Sequence, residues 1–472
     1  IPLPSFAKET ASEFGADSMA VTIGGIDIDG NDSTNELSSL FLDSIVRLRG
    51  MSNTYSVRIH RNSPQKFLDK VAEAHKTPCA IALFNDESVV PALVNCGCSL
   101  QDARDYAIIG CVEPTPQGET FGCTSGNDVS LVGALEMALN DGQLAMMGAS
   151  TGPRTGKAAH FNNFDQLMKA YKRQVEWSVS HIAKCVNAKD RAYSESFHNP
   201  FVSTTFESCI KSGLDVTQGG ARYNFSSISG RGMATVADSL AAIKTFVFDS
   251  DKISMDTLLE CLNTNFRSEK NKKVKAMLKS RTPRYGVDEV FVDELAVRIV
   301  THFCDTVSKQ KAYRKNTAFR PGFFSYGMHV HDGWLLSVTP DGRKAGEPVS
   351  NSLSPVNGSE FRGPTATLVS VSRIDHTRIS NGSSLNMTLL PSVLSNDRGK
   401  QAFIAMVKTY FELGGMHVQF NVVDNRTLRE AQKNPEKYKD LVVRVSGYVA
   451  YFTDLGKSLQ NEIISRTEFS QI

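Results

Sequence analysis

Hydrophobic and polar positions alternate along this chain with two different periods. Apolar residues recur at helical spacing in six segments, residues 67–73, 130–139, 164–188, 235–246, 255–278 and 287–309. Four short apolar runs have the composition of strands, residues 80–84, 106–109, 368–371 and 419–423. Because helical and strand-like segments alternate along the chain, the pattern predicts an α/β architecture.

Segments rich in glycine, serine and proline separate these elements. Residues 115–126, 340–358 and 381–384 have this composition and are predicted to be loops. The sequence Gly126-Asn127-Asp128 is predicted to cap the helix at 130–139. None of these loops is long enough to be an interdomain linker, and the chain shows no repeat of fixed period.

A further strand-like run, residues 440–454, carries Gly447 in its middle, among valines, tyrosines and a phenylalanine. Glycine inside a strand costs stability and usually marks a bulge or a close backbone approach. A chemical interpretation competes with these two. A radical on a glycine Cα is stabilised by the flanking amide nitrogen and carbonyl, and only a residue without a side chain flattens freely there. An apolar setting would shield such a radical from oxygen and solvent.

The sequence Gly110-Cys111-Val112-Glu113-Pro114 is the second informative segment. It follows the apolar run 106–109 and precedes a loop, so Cys111 is predicted at the tip of a hairpin or strand-end loop, where catalytic groups often lie. A single cysteine is more often buried filler. The segment becomes specific only in combination with Gly447.

Together, the two segments resemble the glycyl radical enzymes, the family of pyruvate formate-lyase. Six other segments are similar to the family's signatures: residues 23–37, 84–87, 102–106, 339–348, 414–421 and 461–468. Family chains normally carry a long helical region and part of the barrel before this starting point. The sequence therefore resembles the C-terminal part of such an enzyme. The alternatives are a chain whose front is omitted from this numbering and one subunit of a split enzyme.

The resemblance implies a ten-stranded α/β barrel of two five-stranded half-barrels surrounded by helices, with the N-terminal part absent. In that fold the cysteine loop and the glycine loop enter from opposite ends and meet at the centre. Residues 1–340 would form the partial barrel domain with the cysteine loop. Residues 341–472 would form the C-terminal glycine radical domain.

The resemblance also implies the radical chemistry. Gly447 would store the radical and Cys111 would use it, and no cofactor would be bound to the chain. A separate activating enzyme with an iron–sulfur cluster and S-adenosylmethionine would install the radical, since this chain has no cluster-ligand spacing of its own. A homodimer is implied as well, in some relatives inside a bacterial microcompartment.

Glu113 distinguishes branches of the family. Members that split C–C bonds carry a second cysteine where this chain has Val112, whereas members that eliminate a leaving group carry a glutamate two residues after the cysteine. A substrate radical makes the adjacent hydroxyl far more acidic, so a carboxylate can remove its proton as the next bond breaks. Glu113 is predicted to be that base, and a structural loop glutamate is the alternative.

Substrate contacts are predicted at three positions. Diol-dehydrating members usually present a His-Asp pair where this chain has Thr124 and Ser125; choline-cleaving members carry Thr-Ser there. Arg320 and Phe324 are spaced like an arginine and a phenylalanine of sulfonate-cleaving relatives, and an arginine can hold an anionic group in a bidentate manner. The alternatives are turn-forming hydroxyl residues and a structural arginine.

Three other residues are assigned supporting roles. Arg444 is predicted to support the glycine loop rather than the substrate. His329 and His417 lie between apolar neighbours and are predicted to be core histidines rather than catalytic ones.

Composition narrows the class of protein. The chain has 472 residues, enough for one large α/β domain or two. Its net charge of +2 indicates neither nucleic acid nor an anionic membrane as partner. No apolar run reaches the about 18 residues of a membrane span, and residues 1–6 lack the features of a signal peptide.

The nine cysteines are scattered: Cys79, Cys96, Cys98, Cys111, Cys123, Cys185, Cys209, Cys261 and Cys304. An odd number at irregular spacing argues against a disulfide framework and indicates a reducing cytoplasm. Cys96 and Cys98 form one close pair without a second pair or a histidine. A buried loop is therefore a better interpretation of this pair than a metal site.

These observations predict an anaerobic glycyl radical lyase that eliminates water, an amine or sulfite from a small hydroxylated substrate. An arylacetate-type decarboxylase is the alternative, because it also carries the Cys-x-Glu arrangement. A subunit that only donates a glycine radical is a third reading. The intact Cys111–Glu113 loop argues against it, since such a subunit needs only the glycine segment.

Overall fold

Strands and helices alternate along the part of the chain that the computed structural model describes, which is residues 20–48, 54–76, 81–145, 149–315 and 317–472. The α/β prediction is confirmed. Residues 1–6, Cys79 and Ala80, on which earlier predictions fell, lie outside the described residues.

The described strands and helices have the following bounds. The strands are β1 (Ala20–Gly24), β2 (Thr54–Ile59), β3 (Ile81–Asn85), β4 (Tyr106–Ile109), β5 (Glu113–Pro116), β6 (Thr120–Cys123), β7 (Asp128–Ser130), β8 (Gln143–Leu144), β9 (Ala149–Ser150), β10 (Tyr223–Arg231), β11 (Arg320–Gly322), β12 (Asn386–Leu389), β13 (His417–Val422), β14 (Val442–Arg444), β15 (Val449–Tyr451) and β16 (Glu468–Phe469). The helices are α1 (Glu36–Leu48), α2 (Gln65–Ala74), α3 (Asp86–Asn95), α4 (Leu100–Arg104), α5 (Leu131–Leu139), α6 (Phe164–Ser196), α7 (Pro200–Ser203), α8 (Glu207–Ser212), α9 (Met233–Ile243), α10 (Met255–Asn263), α11 (Glu269–Arg281), α12 (Val290–Ser308), α13 (Met328–Leu335), α14 (Pro364–Ser372), α15 (Asp397–Glu412), α16 (Asn425–Lys433) and α17 (Lys457–Ile464).

Two sheets form the centre of the molecule. The larger has the order β1-β2-β3-β13-β12-β16. Its strands are parallel on each side of one antiparallel junction, β3 with β13, where Phe84 lies opposite His417. In the second sheet β10 pairs in parallel with β6, β7 and β11. The strands β6 and β7 follow one another along β10, so residues 124–127 form a gap in an otherwise continuous edge.

The central strands are buried on both faces, and β3 is almost wholly apolar in sequence whereas β2 carries the buried polar residues Ser56 and Arg58. Every residue of β2 and β3 is buried, as expected for parallel strands covered on both faces. Helices α5 and α9 are buried on all sides. Helices α2 and α15 supply one apolar face each, and Phe67 of α2 and Phe403 of α15 belong to the same core cluster as the sheet. Among the helices of the described residues, none is long and apolar enough to cross a membrane.

Most predicted helices are confirmed, with shifted ends. Segments 67–73, 130–139, 164–188, 235–246 and 287–309 correspond to α2, α5, α6, α9 and α12. The predicted cap of α5 was wrong. Residues 126–128 do not cap it; Ser130 does, by accepting a hydrogen bond from the Gly133 N–H at 3.2 Å, and Asp128 instead begins β7.

Three other predictions were wrong for reasons of backbone geometry. Segment 255–278 is two helices, α10 and α11, because Asn265 and Phe266 adopt left-handed φ values of 51° and 53° between them. Segment 368–371 is not a strand but part of α14, which begins at Pro364, a residue suited to the first helical turn. The predicted loop 115–126 contains strand β6.

Asn85 ties the two halves of the larger sheet together. It ends β3 and caps α3, where its Oδ1 accepts from the Glu87 N–H at 3.1 Å. Its Nδ2 donates to the carbonyls of Phe411 at 3.0 Å and Gly415 at 2.7 Å, beside β13. The side chain is buried, and its two bonds add to those that the Phe411 carbonyl accepts from the Gly414 N–H at 3.0 Å and the Gly415 carbonyl accepts from Ser88 Oγ at 3.3 Å.

Asn85→Asp tests this junction. Aspartate keeps the helix-cap acceptor but replaces two donors with a charge facing buried carbonyls, so we expect a loss of about 2 kcal/mol or more in unfolding free energy. Thermal melting would show it as a lower Tm. The control is Asn163→Asp, the same change at the exposed cap of α6, which should leave the Tm nearly unchanged. Equal melting of the two variants would contradict the assignment.

Candidate active site

A tight hairpin presents the cysteine. Strands β4 and β5 pair antiparallel with Ile109 opposite Glu113, so residues 110–112 form the turn. The prediction that Cys111 lies at a hairpin tip is confirmed. Gly110 adopts a left-handed φ of 58° at the start of the turn, a conformation that glycine adopts without steric cost.

Glu113 folds back onto this turn. Its Oε2 accepts hydrogen bonds from the Cys111 N–H at 2.9 Å and from the Val112 N–H at 2.8 Å. Burial raises the pKa of the Glu113 carboxyl to about 7, although the two amides work in the opposite direction. A carboxyl with a pKa near neutrality is suited both to take and to return a proton.

Gly447 lies at the tip of a second hairpin. Strands β14 and β15 pair antiparallel with Arg444 opposite Val449, and the Val445 N–H donates to the Tyr448 carbonyl at 2.9 Å across the turn. The prediction of a continuous strand through Gly447 was therefore wrong. Its φ is 100°, in the left-handed region, which breaks the strand and favours glycine.

The tips of the two hairpins touch. A Cβ built on Gly447 would lie 2.7 Å from Cys111 Cβ and 3.6 Å from Cys111 Sγ. A side chain at position 447 would therefore overlap the cysteine. Cys111 is buried, and burial followed by the nearby charge of Glu113 raises the pKa of its thiol well above the ordinary value. The structure thus places the Cys111 side chain against Gly447, and the raised pKa favours its neutral thiol.

Arg444 holds the glycine turn to the sheet. Its Nη2 donates to the Gly447 carbonyl at 3.0 Å, and its Nε donates to Gln419 Oε1 at 2.8 Å. Its backbone N–H donates to Asn421 Oδ1 at 2.7 Å. Gln419 and Asn421 are two residues apart in β13, so both side chains lie on one face of the strand. The predicted supporting role of Arg444 is confirmed.

A second arginine, Arg466, was missed by sequence reasoning, although it lies within the recognised segment 461–468. It donates to the carbonyls of Arg444 at 3.1 Å and Val445 at 2.6 Å, and it pairs with Glu462 at 2.8 Å. Burial opposes ionisation of Glu462, but Arg466 and then His329 outweigh it and lower its pKa. The carboxylate therefore stays charged and anchors the arginine.

Ser446 fixes the residue before the glycine. Its Oγ lies 2.9 Å from Ser325 Oγ and 2.9 Å from Ser352 Oγ. Ser325 in turn contacts His329 Nδ1 at 3.2 Å. His329 and His417 are both buried, which confirms their predicted core positions, and burial lowers the pKa of His417 well below its ordinary value.

Two aromatic residues line the cysteine side. Phe324 is buried in the same apolar cluster as Cys111, and its ring lies 5.3 Å from that of Tyr326 in an edge-on contact. Tyr326 was not predicted. It has a φ of 54°, which is uncommon for a non-glycine residue, and its buried Oη finds no hydrogen-bond partner among the described residues. Its only sequence signal is its position two residues after Phe324.

The structure does not demonstrate a role in substrate binding for Thr124 or Arg320. Thr124 is in the gap between β6 and β7, where its carbonyl accepts from Asn381 Nδ2 at 2.8 Å. Arg320 is buried in β11, and its Nη2 donates to the carbonyls of Pro114, at 2.8 Å, and Ser380. Its Nε and Nη1 have no partner among the described residues. The structure shows no contact of either residue with Cys111, and their substrate roles stay predictions.

Comparisons with known proteins agree with this geometry. The family model described as Pyruvate formate lyase-like matches residues 5–333, and the model described as Glycine radical matches residues 349–453. The (2S)-3-sulfopropanediol dehydratase of Klebsiella oxytoca is 36% identical over 96% of this chain and 55% of its own length. The trans-4-hydroxy-L-proline dehydratase of Clostridioides difficile is 34% identical over 95% of this chain and 56% of its own.

A solved structure shows the fold. The B12-independent glycerol dehydratase of Clostridium butyricum superposes with a TM-score of 0.93 at 40% identity, over 98% of this chain and 58% of that enzyme. The predicted α/β barrel class is confirmed. A decarboxylase, the indoleacetate decarboxylase of Tractidigestivibacter scatoligenes, is a more distant relative at 28% identity over 96% of this chain and 54% of its own length.

This chain spans little more than half the length of these relatives. Within that span the two family models and the two touching hairpins indicate the same class of protein. The chain belongs to the pyruvate formate lyase-like family and carries the glycine radical segment that its members share.

Proposed function

We propose that this protein is an anaerobic glycyl radical lyase that eliminates a leaving group from a small hydroxylated substrate. The observation that carries the proposal is the contact between Gly447 and Cys111, with Glu113 on the same hairpin as the cysteine. Three of the relatives named above, all at 34% identity or more, are dehydratases of a sulfopropanediol, a hydroxyproline and glycerol, which are small hydroxylated molecules.

The cycle begins with hydrogen-atom transfer. A radical on the Gly447 Cα takes the hydrogen atom of the Cys111 thiol, leaving a thiyl radical on the sulfur. The thiyl radical takes a hydrogen atom from the substrate carbon that bears the hydroxyl, so the S–H bond re-forms and the radical passes to the substrate. The direct contact makes the first transfer possible without an intermediate carrier.

Elimination follows from the acidity of that substrate radical. Its hydroxyl proton passes to the Glu113 carboxylate as the neighbouring carbon–heteroatom bond breaks, and the leaving group departs with the electron pair. Both amide hydrogen bonds of Glu113 fall on Oε2, so we assign the substrate proton to Oε1. The resulting carbonyl radical takes a hydrogen atom back from Cys111, and Glu113 returns its proton to the leaving group when that group is hydroxide.

Substrate contacts are assigned by position. Phe324 lies in the apolar cluster around Cys111 and would form one wall. The Nε and Nη1 of Arg320, which have no partner among the residues that the structure describes, would suit a carboxylate or sulfonate on the substrate. Thr124 would contact a hydroxyl. A separate radical S-adenosylmethionine enzyme would install the radical, and a cytoplasmic homodimer is the proposed assembly.

The radical assignment is tested by Gly447→Ala. The Cβ of alanine keeps its Cα from flattening freely and would overlap Cys111. We therefore expect no organic radical by electron paramagnetic resonance and no turnover. The matched control is Gly414→Ala. Gly414 has nearly the same φ, 98°, but open space around its Cα, so alanine there adds only about 1–2 kcal/mol of backbone strain and should keep the signal. A radical in the Gly447→Ala protein would place the radical on another residue.

The role of Glu113 predicts a pH dependence. Below its pKa of about 7 the carboxyl is protonated and cannot accept the substrate proton, so kcat/KM should rise with pH through about 7. Glu113→Gln keeps an acceptor for the two hairpin amides but is no base. We expect turnover to fall about 10²–10⁴-fold, the pH step to disappear, and the Tm to change little. A glutamine variant that keeps the step would show that another group titrates.

Product analysis tests the reaction class. The protein, anaerobically activated, would be incubated with choline, isethionate, dihydroxypropanesulfonate, propanediol, hydroxyproline and arylacetates, and the products identified by mass spectrometry against the Gly447→Ala control. We expect an aldehyde, ketone or new double bond from one hydroxylated substrate. Carbon dioxide and a methylarene would instead establish the decarboxylase alternative.

A further inference from the structure

The end of helix α3 carries two thiols that the proposed reaction does not use. Cys96, Gly97 and Cys98 follow the last helical residue, Asn95. The Gly97 N–H donates to the Val94 carbonyl at 2.9 Å, and the Cys98 N–H donates to the Leu93 carbonyl at 3.1 Å. This is the Schellman pattern that ends many helices, with a left-handed glycine, φ 102°, after the cap. The motif explains the glycine, but it requires no sulfur on either side.

The two thiols differ in environment. Cys98 is buried among apolar residues in the cluster that contains Cys111, whereas Cys96 is half-buried between the exposed Asn95 and Gly97. Cys96 is therefore the residue of the pair that reaches the surface. Two residues along a chain span at most about 7 Å, and the turn at Gly97 shortens that distance toward the range a disulfide needs. A Cβ at Gly97 would meet nothing within 4 Å, so the turn has room to adjust.

A buried cation lies beside the pair. Arg320 is 1% exposed, and its Nε and Nη1 have no hydrogen-bond partner among the described residues. Its Nη2 bonds the Ser380 carbonyl, and the Cys96 thiol donates to the Leu93 carbonyl at 3.2 Å. A hydrogen bond from the Cys98 thiol, followed by the charge of Arg320, lowers the pKa of Cys96 against the effect of burial. The same hydrogen bond raises the pKa of Cys98.

We propose that Cys96 and Cys98 form a thiol–disulfide exchange site that takes low-molecular-weight disulfides and closes to an intramolecular Cys96–Cys98 disulfide. The Cys96 thiolate attacks one sulfur of the incoming disulfide, forming a mixed disulfide and releasing one thiolate. Cys98 loses its proton to solvent and attacks the Cys96 sulfur, which releases the second thiolate. The two protein thiols are oxidised and one small disulfide is reduced to two thiols.

Arg320 connects this site to the catalytic hairpin. The same guanidinium whose charge favours a thiolate at Cys96 donates to the Pro114 carbonyl at 2.8 Å, next to Glu113. Closing the disulfide would remove any thiolate charge from the surroundings of Arg320. In the proposed site the thiol state of the pair would therefore act on a residue that also anchors strand β5.

The test uses the unactivated protein, so it does not depend on the radical reaction. Protein reduced and then incubated anaerobically with oxidised glutathione would be alkylated and digested with trypsin and Glu-C. Cleavage after Glu87 and Arg104 releases residues 88–104, in which Cys96 and Cys98 are the only cysteines. We expect this peptide to lose the mass of two hydrogen atoms and both alkylation sites, and to regain them on reduction.

Two variants make the result specific. Cys98→Ser should trap one glutathione on Cys96, whereas Cys96→Ser should leave the peptide unmodified at Cys98. In the wild type, alkylation of Cys96 should rise with pH at a lower midpoint than that of Cys185, an exposed cysteine. A peptide 88–104 that stays fully reduced while Cys185 is glutathionylated would overturn the proposal, as would modification of Cys98 alone in the wild type.

Discussion

The contact between the Gly447 Cα and the Cys111 side chain is the constraint on which the surrounding structure depends. It leaves no room for a Cβ at position 447, so two hairpins from different parts of the chain must be held with little freedom. Arg444 and Arg466 fix the glycine turn through carbonyl groups, and Gly382 packs against the Val112 carbonyl so closely that a Cβ would lie 2.1 Å from it. The buried carbonyls of this turn are satisfied because they accept hydrogen bonds from the two arginines.

Glu113 combines two demands that usually conflict. As a structural group it should be ionised to accept two amide hydrogen bonds, and as a base it should have a pKa near the working pH. Burial raises its pKa and the amides lower it, and a value of about 7 is the balance. Placing both amide bonds on one carboxylate oxygen lets the hairpin stay folded while the other oxygen gains and loses a proton.

Local patterns predicted the parts of this site that depend on neighbouring residues in sequence. The apolar run before Gly110 was enough to place Cys111 at a hairpin tip, and helical periodicity located α2, α5, α6, α9 and α12. Errors arose where one backbone angle decides the outcome: the left-handed Gly447 turned a predicted strand into a hairpin, and Phe266 split a predicted helix. Tyr326 and Arg466 were missed because their roles arise from tertiary contacts that sequence spacing does not encode.

Two cysteines of one apolar cluster have pKa values shifted in opposite directions. Hydrogen-atom transfer needs the S–H bond intact, so a catalytic thiol of this kind must resist ionisation; burial and the charge of Glu113 do this for Cys111. Thiol–disulfide exchange needs the thiolate instead, and at Cys96 the Cys98 thiol and the Arg320 charge favour it. Arg320 donates to the Pro114 carbonyl on the Cys111 hairpin, so the cation that favours a thiolate at Cys96 also holds the strand that carries Glu113.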